Sequence, residues 1–274
     1  MKLKNKRDNP PPHPPKVHLD SSFEKKQHQP KMPVNELACL KLLPGADILD
    51  ETLRKKLEHA KEVLEEYTKN PFTFTSQVED NSYVYIIGRW KSRDEHMKKF
   101  INSKENKALL QTLEKQVRIE WIVHYDIEED IPQMTSPIIS ISRFFIKPGH
   151  REAYQATYDS VEEILTEYQE PHQWPQDDDR VHNELPEFNL GHTHGWRVDK
   201  EAEEKEEAVL ICGWRVVAAH EGFSGDDRYG EWCKIKQHLE GAEIKHAMPI
   251  AFKEVDEVME ELAGKVPKRT VGKM

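Results

Sequence analysis

The apolar and polar positions of residues 138–168 follow the order of a β-strand, a turn and an amphipathic helix. A largely apolar run leads to a Pro-Gly pair at residues 148–149, and apolar side chains then recur at helical spacing. Residues 36–67 repeat this order, with a Pro-Gly pair at residues 44–45. Repetition of a whole strand–turn–helix unit indicates an internal duplication, and we call the two copies the first and second halves.

The rest of the first half continues with two strands, a helical region and a final strand. Asp50 provides an N-cap for the first helix, and strands are predicted at residues 72–78 and 83–90. Ser92 can cap the second helical region, and residues 118–127 close the unit as a strand. The order β-α-β-β-α-β is that of the ferredoxin-like split βαβ fold.

The second half carries an additional segment, residues 172–195, which has no counterpart in the first half. Its polarity and its prolines favour a lid or rim over a pocket of the second half, outside the core. If the segment filled a core instead, its deletion would unfold the protein. Further strands are predicted at residues 196–198, 208–214 and 242–249, and a helix around residues 229–239.

Several predicted strands are apolar on both faces, unlike an antiparallel sheet with one face in water. Along one strand, Tyr83, Tyr85 and Ile87 point one way, whereas Val84, Ile86 and Trp90 point the other. The helices can cover one face, and the sheet of the other half can cover the second. Two four-stranded sheets packed in this way form a closed or nearly closed eight-stranded barrel. The predicted fold class is α+β, with two ferredoxin-like βαββαβ repeats forming an internal pseudo-dimeric α/β barrel.

The predicted domain boundaries follow the composition. Residues 1–33 are rich in proline and lysine and are predicted to be a disordered basic arm, which either docks on a partner or is a solvated tail. The first ferredoxin-like repeat spans residues 34–128, and the second, which contains the additional segment, spans residues 137–252. Residues 253–274 are predicted to form a C-terminal helix and tail.

Charge and composition exclude several classes of function. The 274 residues carry a formal net charge of −10, which disfavours nucleic acid because phosphate binding needs a concentrated basic face. Mean hydropathy is −0.82, and no apolar run approaches the roughly 20 residues of a membrane helix. The chain start lacks the apolar core of a secretory signal, and three scattered cysteines argue against a disulfide framework. These features predict a cytoplasmic protein without nucleic-acid or membrane partners, and they leave the oligomeric state open.

Two repeated motifs carry a resemblance to a known family. Each half opens with a strand that ends in Pro-Gly, and each has a Trp-x5-His element after its third strand, at Trp90…His96 and Trp214…His220. Together with the duplicated ferredoxin-like order, these motifs resemble the dimeric α/β-barrel superfamily, in particular tandem domains of the antibiotic-biosynthesis-monooxygenase (ABM) type. That superfamily includes cofactor-free oxygenases, haem-degrading enzymes, isomerases and cyclases. The asparagine-tryptophan-histidine set of the haem-degrading members is not evident here, so haem degradation is not part of the expectation.

Four histidines at matching places in the two halves are the candidate catalytic residues. His220 and its first-half equivalent His96 begin the second helical region, where the helix dipole favours a neutral imidazole that could act as a base. His246 and its equivalent His124 lie on the last strand of each half. The alternatives are a surface or capping role for the first pair and a hydrogen-bonded core role for the second. Activity is expected in the second half, near Trp214, because that half carries the additional segment.

Other residues are candidates for binding. Four aromatic side chains could line a pocket for a flat ligand or could simply fill the core: Trp214, Trp90, Tyr85 and Trp121. His192 and His194 lie on one face of an extended segment and are candidate metal ligands, with a polar loop as the alternative. The chain has no phosphate-binding loop, dinucleotide fingerprint, nucleophile elbow or paired Cys-x-x-Cys motif. No cofactor is predicted.

The sequence therefore predicts a small-molecule enzyme that resembles the ABM-type cofactor-free monooxygenases. It would act on an aromatic or polyketide-like substrate in an apolar pocket, where a histidine removes a proton and makes the substrate reactive towards oxygen or ring closure. The alternative is a non-catalytic α/β barrel that binds a ligand or a partner. A roomy cavity bordered by a histidine favours the enzyme, and an interface filled by side chains favours the binding protein.

Overall fold

The structure is a computed structural model that describes residues 32–127, 131, 135–169, 190–200 and 205–252. Three predicted features lie outside the described residues, in whole or in large part: the basic arm, the C-terminal helix and tail, and most of the additional segment. Within the described residues, no helix has both the length and the apolar character needed to cross a membrane.

Within the described residues, eight strands are interspersed with helical segments. In the first half the elements are β1 (Val34–Leu42), α1 (Glu51–Thr68), β2 (Phe72–Gln77), β3 (Tyr83–Trp90), a π-helical segment (Glu95–Phe100), α2 (Lys104–Leu113) and β4 (Val117–Tyr125). In the second half they are β5 (Ile138–Ile146), α3 (Arg151–Gln169), β6 (His192–Trp196), β7 (Glu206–Trp214), α4 (Val217–Gly222), α5 (Tyr229–Trp232) and β8 (Leu239–Pro249), with 3-10 turns at Phe223–Gly225 and Cys233–His238.

The first helix of each half forms as its sequence predicts. The Asp50 carboxylate accepts a hydrogen bond from the Leu53 backbone N–H at 2.8 Å, which satisfies one of the free N–H groups of α1. The apolar residues at helical spacing then face the sheet, including Leu53 and Leu57 in α1 and Tyr154 and Tyr158 in α3, all of them buried.

Two predictions for the second half need correction. The additional segment was predicted to run to residue 195 outside the core, but β6 begins at His192 and pairs with β7, so the last residues of that segment are part of the sheet. The single helix predicted around residues 229–239 is instead the four-residue α5 followed by a 3-10 turn. Gly230 lies within the predicted range, and a glycine in a helix interior costs roughly 1 kcal/mol relative to alanine.

The strands form one eight-stranded sheet in the order β4-β1-β3-β2-β8-β5-β7-β6, with antiparallel pairing throughout. The two four-strand sets are joined where β2 pairs with β8. The outer strands also meet, because Tyr125 at the end of β4 bridges Arg197, which follows β6. Backbone hydrogen bonds of 2.9 Å from Val198 N–H to the His124 carbonyl and from Asp126 N–H to the Trp196 carbonyl support this contact. The sheet therefore closes on itself and leaves few free edges.

The core has an inner part and two outer parts. Leu37, Cys39, Tyr85 and Ile87 pack inside the closed sheet with residues from the other half. Their neighbours on the opposite face pack against the helices, in one cluster around α1 and another around α3. The prediction that these strands are apolar on both faces is confirmed.

A buried ionic network lies on the inner face of the sheet, on β4, β5 and β7. The Glu207 carboxylate accepts hydrogen bonds from the Tyr125 hydroxyl and from Arg143 Nε, both at 2.6 Å, and from Arg197 at 3.3 Å. Glu207 is only 1 % exposed. Burial of a carboxylate is tolerated here because two guanidinium groups and a hydroxyl replace its water.

Candidate functional site

Each half contains a cavity between its part of the sheet and its helices. The first-half cavity has a volume of about 810 Å³ and is lined mainly by apolar side chains from β1, β3, β4, α1 and α2, with Glu36 and His96 at its wall. The second-half cavity has a volume of about 620 Å³, and its lining includes Trp214, His220 and His246. Both volumes fall in the range of small-molecule pockets.

In the second half, two histidines and a carboxylate form a hydrogen-bonded chain. His220 Nδ1, on α4, lies 2.8 Å from His246 Nε2, on β8. His246 Nδ1 lies 2.8 Å from Glu79 Oε1, and the His246 backbone N–H also donates to this carboxylate at 2.9 Å. Glu79 follows β2, so the carboxylate comes from the first half. We call His220, His246 and Glu79 the second relay.

The first half has the same arrangement. His96 Nδ1, in the π-helical segment, lies 2.8 Å from His124 Nε2, on β4. His124 Nδ1 lies 2.8 Å from the Asp199 carboxylate, which follows β6 and comes from the second half. We call His96, His124 and Asp199 the first relay.

The carboxylates set the tautomers of both relays. Burial opposes ionisation of Glu79, but hydrogen bonds from the backbone and ring of His246 outweigh it and lower its pKa. The same balance lowers the pKa of Asp199, through hydrogen bonds from His124 and Arg197. An ionised carboxylate only accepts, so the neighbouring histidine carries its proton on Nδ1 and accepts through Nε2. The histidine at the cavity then also carries its proton on Nδ1, and its Nε2 is the basic nitrogen.

A tryptophan holds each cavity histidine in place. Trp90 stacks on His96 with ring centroids 4.2 Å apart and planes at 5°, and Trp214 stacks on His220 at 4.6 Å and 18°. Burial, with a smaller contribution from His246, lowers the pKa of His220 to about 4, so this imidazole is neutral at neutral pH.

The two sites differ at one position next to the relay. Glu36 pairs with His124 in the sheet register, and Ser140 pairs with His246. Trp90 Nε1 donates to the Glu36 carboxyl at 2.5 Å, whereas Trp214 Nε1 donates to the Ser140 hydroxyl at 2.8 Å. The first site thus has a carboxyl group where the second has a hydroxyl.

Glu36 also approaches the first relay. Its Oε2 lies 3.3 Å from His96 Nδ1. Burial raises the pKa of Glu36 to about 8, and burial together with His124 lowers the pKa of His96 to about 3. At neutral pH both groups are therefore uncharged, and their contact is not an ion pair.

The structure brings all four predicted histidines and two of the predicted aromatic residues into these sites. Tyr85 and Trp121 lie on the other face of the sheet, with the Tyr85 hydroxyl bonded to Gln77 and the Arg143 guanidinium 4.2 Å from the Trp121 ring centroid. They therefore do not border the cavities with the histidines.

The predicted metal candidates on β6 are placed apart from the relays. His194 stacks on Tyr158 at 4.2 Å, and His192 Nδ1 lies 3.4 Å from the Gln169 amide oxygen. Burial lowers the pKa of both histidines. Within the described ranges, the one set of three or more grouped histidine, cysteine or acidic side chains is Glu36, His96 and His124.

The three carboxyl groups of the sites, on Glu36, Glu79 and Asp199, were not predicted from the sequence. Glu79 and Asp199 each follow a valine shortly after the second strand of their half, at Val78-Glu79 and Val198-Asp199. This repeated Val-acid pair could have indicated them. Glu36 is the single charged residue in the otherwise uncharged run of residues 32–40, which is the other available signal.

Comparison with known proteins shows the fold of the chain. No protein-family model matches the chain, and no curated protein matches it. Among solved structures, a chlorite dismutase mutant from Candidatus Nitrospira defluvii aligns with TM-score 0.53 and 8 % identity, covering 86 % of this chain and 97 % of that chain. An anthrone oxidase-like protein aligns with TM-score 0.52 and 12 % identity, covering 81 % and 93 %. Both are members of the dimeric α+β-barrel superfamily.

Proposed function

The chain has the dimeric α+β-barrel fold, and on that premise we propose that it is an enzyme acting on a small aromatic or polyketide-like molecule. The substrate occupies the second-half cavity, and His220 acts as the general base. The observation that carries the proposal is the second relay, in which the half-buried His220 of the cavity is connected through His246 to the ionised Glu79.

We also propose that the barrel is a pseudo-dimer of two ferredoxin-like repeats, with boundaries near residues 34–128 and 137–252. The strand order 4-1-3-2 of the first half recurs as 8-5-7-6 in the second. Both Pro-Gly turns hold glycine at positive φ, 89° at Gly45 and 75° at Gly149, a conformation that other residues adopt only with strain. The two relays match residue by residue, and this supports a common ancestor for the halves.

The proposed chemistry is removal of a proton from the bound molecule. His220 Nε2 takes the proton, and the electron pair remains on the substrate, which becomes reactive towards oxygen or an internal electrophile. The imidazolium formed at His220 is stabilised through its Nδ1–H bond to His246, which Glu79 holds in the accepting tautomer. The apolar lining excludes water and strengthens these interactions.

The second half is the proposed site because Ser140 occupies the position beside its relay that Glu36 occupies in the first half. In the first half, Glu36 lies against the same Nδ1 atom that joins the relay. The alternative function, ligand binding without catalysis, is served equally well by either cavity. The relay distinguishes the two, since binding alone needs no histidine fixed in a basic tautomer.

The proposal is tested by comparing His220→Gln with the wild type on hydroxylated polycyclic aromatic compounds. Anthrone is the first probe, because one structural neighbour is an anthrone oxidase-like protein. Oxygen uptake and substrate absorbance measure turnover. Loss of a general base should lower kcat by about 10²–10⁴-fold, with binding retained. His59→Gln, at an exposed histidine of α1, is the matched control and should leave turnover unchanged.

The pH profile provides a second readout. Because the pKa of His220 is lowered to about 4, kcat/KM should stay level from neutral pH down to about 5 and fall below about 4. Turnover that survives His220→Gln would remove His220 as the base. Binding of the probe without turnover in the wild type would favour the non-catalytic barrel.

A further inference from the structure

We propose that Glu36, His96 and His124 form a binding site for a divalent first-row transition metal ion, with an open coordination position towards the first-half cavity. This site is separate from the second relay, and it gives the two halves different chemistry. Two imidazoles and one carboxylate are a ligand set that suits Zn²⁺ and Fe²⁺.

The separations of the ligand atoms suit one ion. His96 Nδ1 lies 2.8 Å from His124 Nε2 and 3.3 Å from Glu36 Oε2, and all three ligand atoms lie within 4.8 Å of one another. For metal–ligand bonds of about 2.0–2.2 Å, neighbouring ligands are roughly 2.9 Å apart at a right angle and roughly 3.4 Å apart at a tetrahedral angle. The separations of 2.8 Å and 3.3 Å are close to these two values. The third separation, between the ligand atoms of Glu36 and His124, is at most 4.8 Å.

The surroundings orient the ligands as metal sites require. Asp199 accepts from His124 Nδ1 at 2.8 Å and thereby directs the lone pair of Nε2 towards the other two ligands. Such a carboxylate on the far nitrogen of a metal-binding histidine is a common supporting contact. Trp90 holds both remaining ligands, by stacking on His96 and by donating to Glu36.

Metal binding would also explain why the carboxyl group of Glu36 is buried. Glu36 is 5 % exposed, His96 2 % and His124 0 %. The polar contacts of the Glu36 side chain in the described part of the chain are Trp90 and His96, neither of which is a fixed cation. Buried acidic groups are rare unless they are paired or coordinate a metal. On binding, the Glu36 carboxyl group releases its proton to solvent, the proton of His96 moves from Nδ1 to Nε2, and the ion takes its place between the two imidazoles.

The open coordination position of the proposed ion faces the first-half cavity. Glu36 and His96 both line the first-half cavity of about 810 Å³, whereas His124 lies behind them in the sheet. Three protein ligands leave at least one coordination position for water or for an oxygen donor of a bound molecule. The second half offers the natural comparison, because it repeats the two histidines, the tryptophan and the distal carboxylate but has Ser140 in place of Glu36.

The test is titration of the full chain, first stripped of metal, with Zn²⁺ in competition with a chromophoric chelator. The wild type should bind one equivalent tightly. Loss of a supporting contact typically weakens a metal by about 10–100-fold, so loss of a direct ligand in Glu36→Ser should weaken Zn²⁺ by about 100-fold or more. Glu36→Ser reproduces the residue of the second half. Ser140→Ala is the matched control and should bind as the wild type does.

Absence of one-to-one binding in the wild type would overturn the proposal. Equal binding by the wild type and Glu36→Ser would overturn it as well, since the ion would then lie elsewhere in the chain. Circular dichroism checks that Glu36→Ser is folded. If it is not, two other measurements decide: a Co²⁺ absorption spectrum of the wild type, which should show d–d bands saturating at one equivalent, and Asp199→Asn, which should bind about 10–100-fold more weakly. Lack of saturating bands, or an unchanged affinity in Asp199→Asn, would count against the site.

Discussion

The buried carboxyl group of Glu36 should make the protein less stable as the pH rises, and Glu36→Gln should remove this dependence. In the metal-free protein, burial raises the pKa of Glu36 from 4.5 to about 8. In the unfolded chain the group ionises near its ordinary value. Between these two pH values the folded state holds a proton that the unfolded state has released, so the free energy of unfolding falls as the pH rises.

The size of the effect follows from the same two values. Each pH unit between them is worth about 1.4 kcal/mol, so the full loss amounts to roughly 5 kcal/mol above pH 8 and to roughly 3 kcal/mol at pH 7. Glutamine has the shape of the protonated acid and does not titrate. The advantage of Glu36→Gln over the wild type should therefore be near zero at about pH 4.5 and grow steadily up to about pH 8.

Urea-induced unfolding, followed by tryptophan fluorescence in buffer with EDTA at several pH values from 5 to 9, measures this difference. Ser140→Ala is the control, because it alters the corresponding position of the second half without a titrating group. Its effect should be the same at every pH. A constant difference between Glu36→Gln and the wild type would show that Glu36 does not hold its proton in the folded state. A difference that grows as the pH falls would show that Glu36 is ionised and paired there.

Three further outcomes are expected. In Gly88→Ala the new Cβ would lie 2.2–2.6 Å from atoms of the Phe72 ring, so thermal melting should show a loss of about 1–3 kcal/mol in the free energy of unfolding. Gly225→Ala is the control and should change stability little, because its new Cβ would have no atom within 4 Å. Equal effects of the two substitutions would contradict the close contact. Arg143→Met removes one of the hydrogen-bond donors to the buried Glu207 and should lower the free energy of unfolding by about 3–5 kcal/mol, measured by chemical denaturation at neutral pH. Unchanged stability would mean that Arg197 alone compensates the charge. Residues 1–134 expressed alone should associate or aggregate in size-exclusion chromatography, because the inner face of the sheet would be exposed; a soluble, cooperatively unfolding monomer would contradict the pseudo-dimer.

Much of the framework follows from local patterns. The N-cap at Asp50, the apolar stripe of α1 and the two-sided strands depend on neighbours within a few residues, so the sequence indicates them directly. The matching places of His96 and His220 likewise follow from the repeat. Each of these predictions needs only the period of a helix or strand and the offset between the halves.

The sites themselves depend on contacts between distant segments. Glu79 meets His246, and Asp199 meets His124, only because β2 lies beside β8 and the end of β4 meets the residues after β6. A strand order of this kind is set by the closed sheet and leaves no local mark in the sequence. Whether the side chain of Tyr85 points into the barrel also depends on the pairing register of its strand, because a shift of one residue exchanges the two faces of a strand.

The positions of Glu79 and Asp199, each in the relay of the opposite half, have a consequence for the evolution of such a protein. In a symmetric assembly of two identical subunits, every substitution appears in both sites at once, so one site cannot acquire a new residue while the other keeps the old one. Here both relays lie within a single polypeptide, and the two sites already differ, with Glu36 in one and Ser140 in the other. In each relay the acid comes from the opposite half, so loss of either half would break both hydrogen-bonded chains. The chain thus permits divergence of its two sites while it prevents their separation.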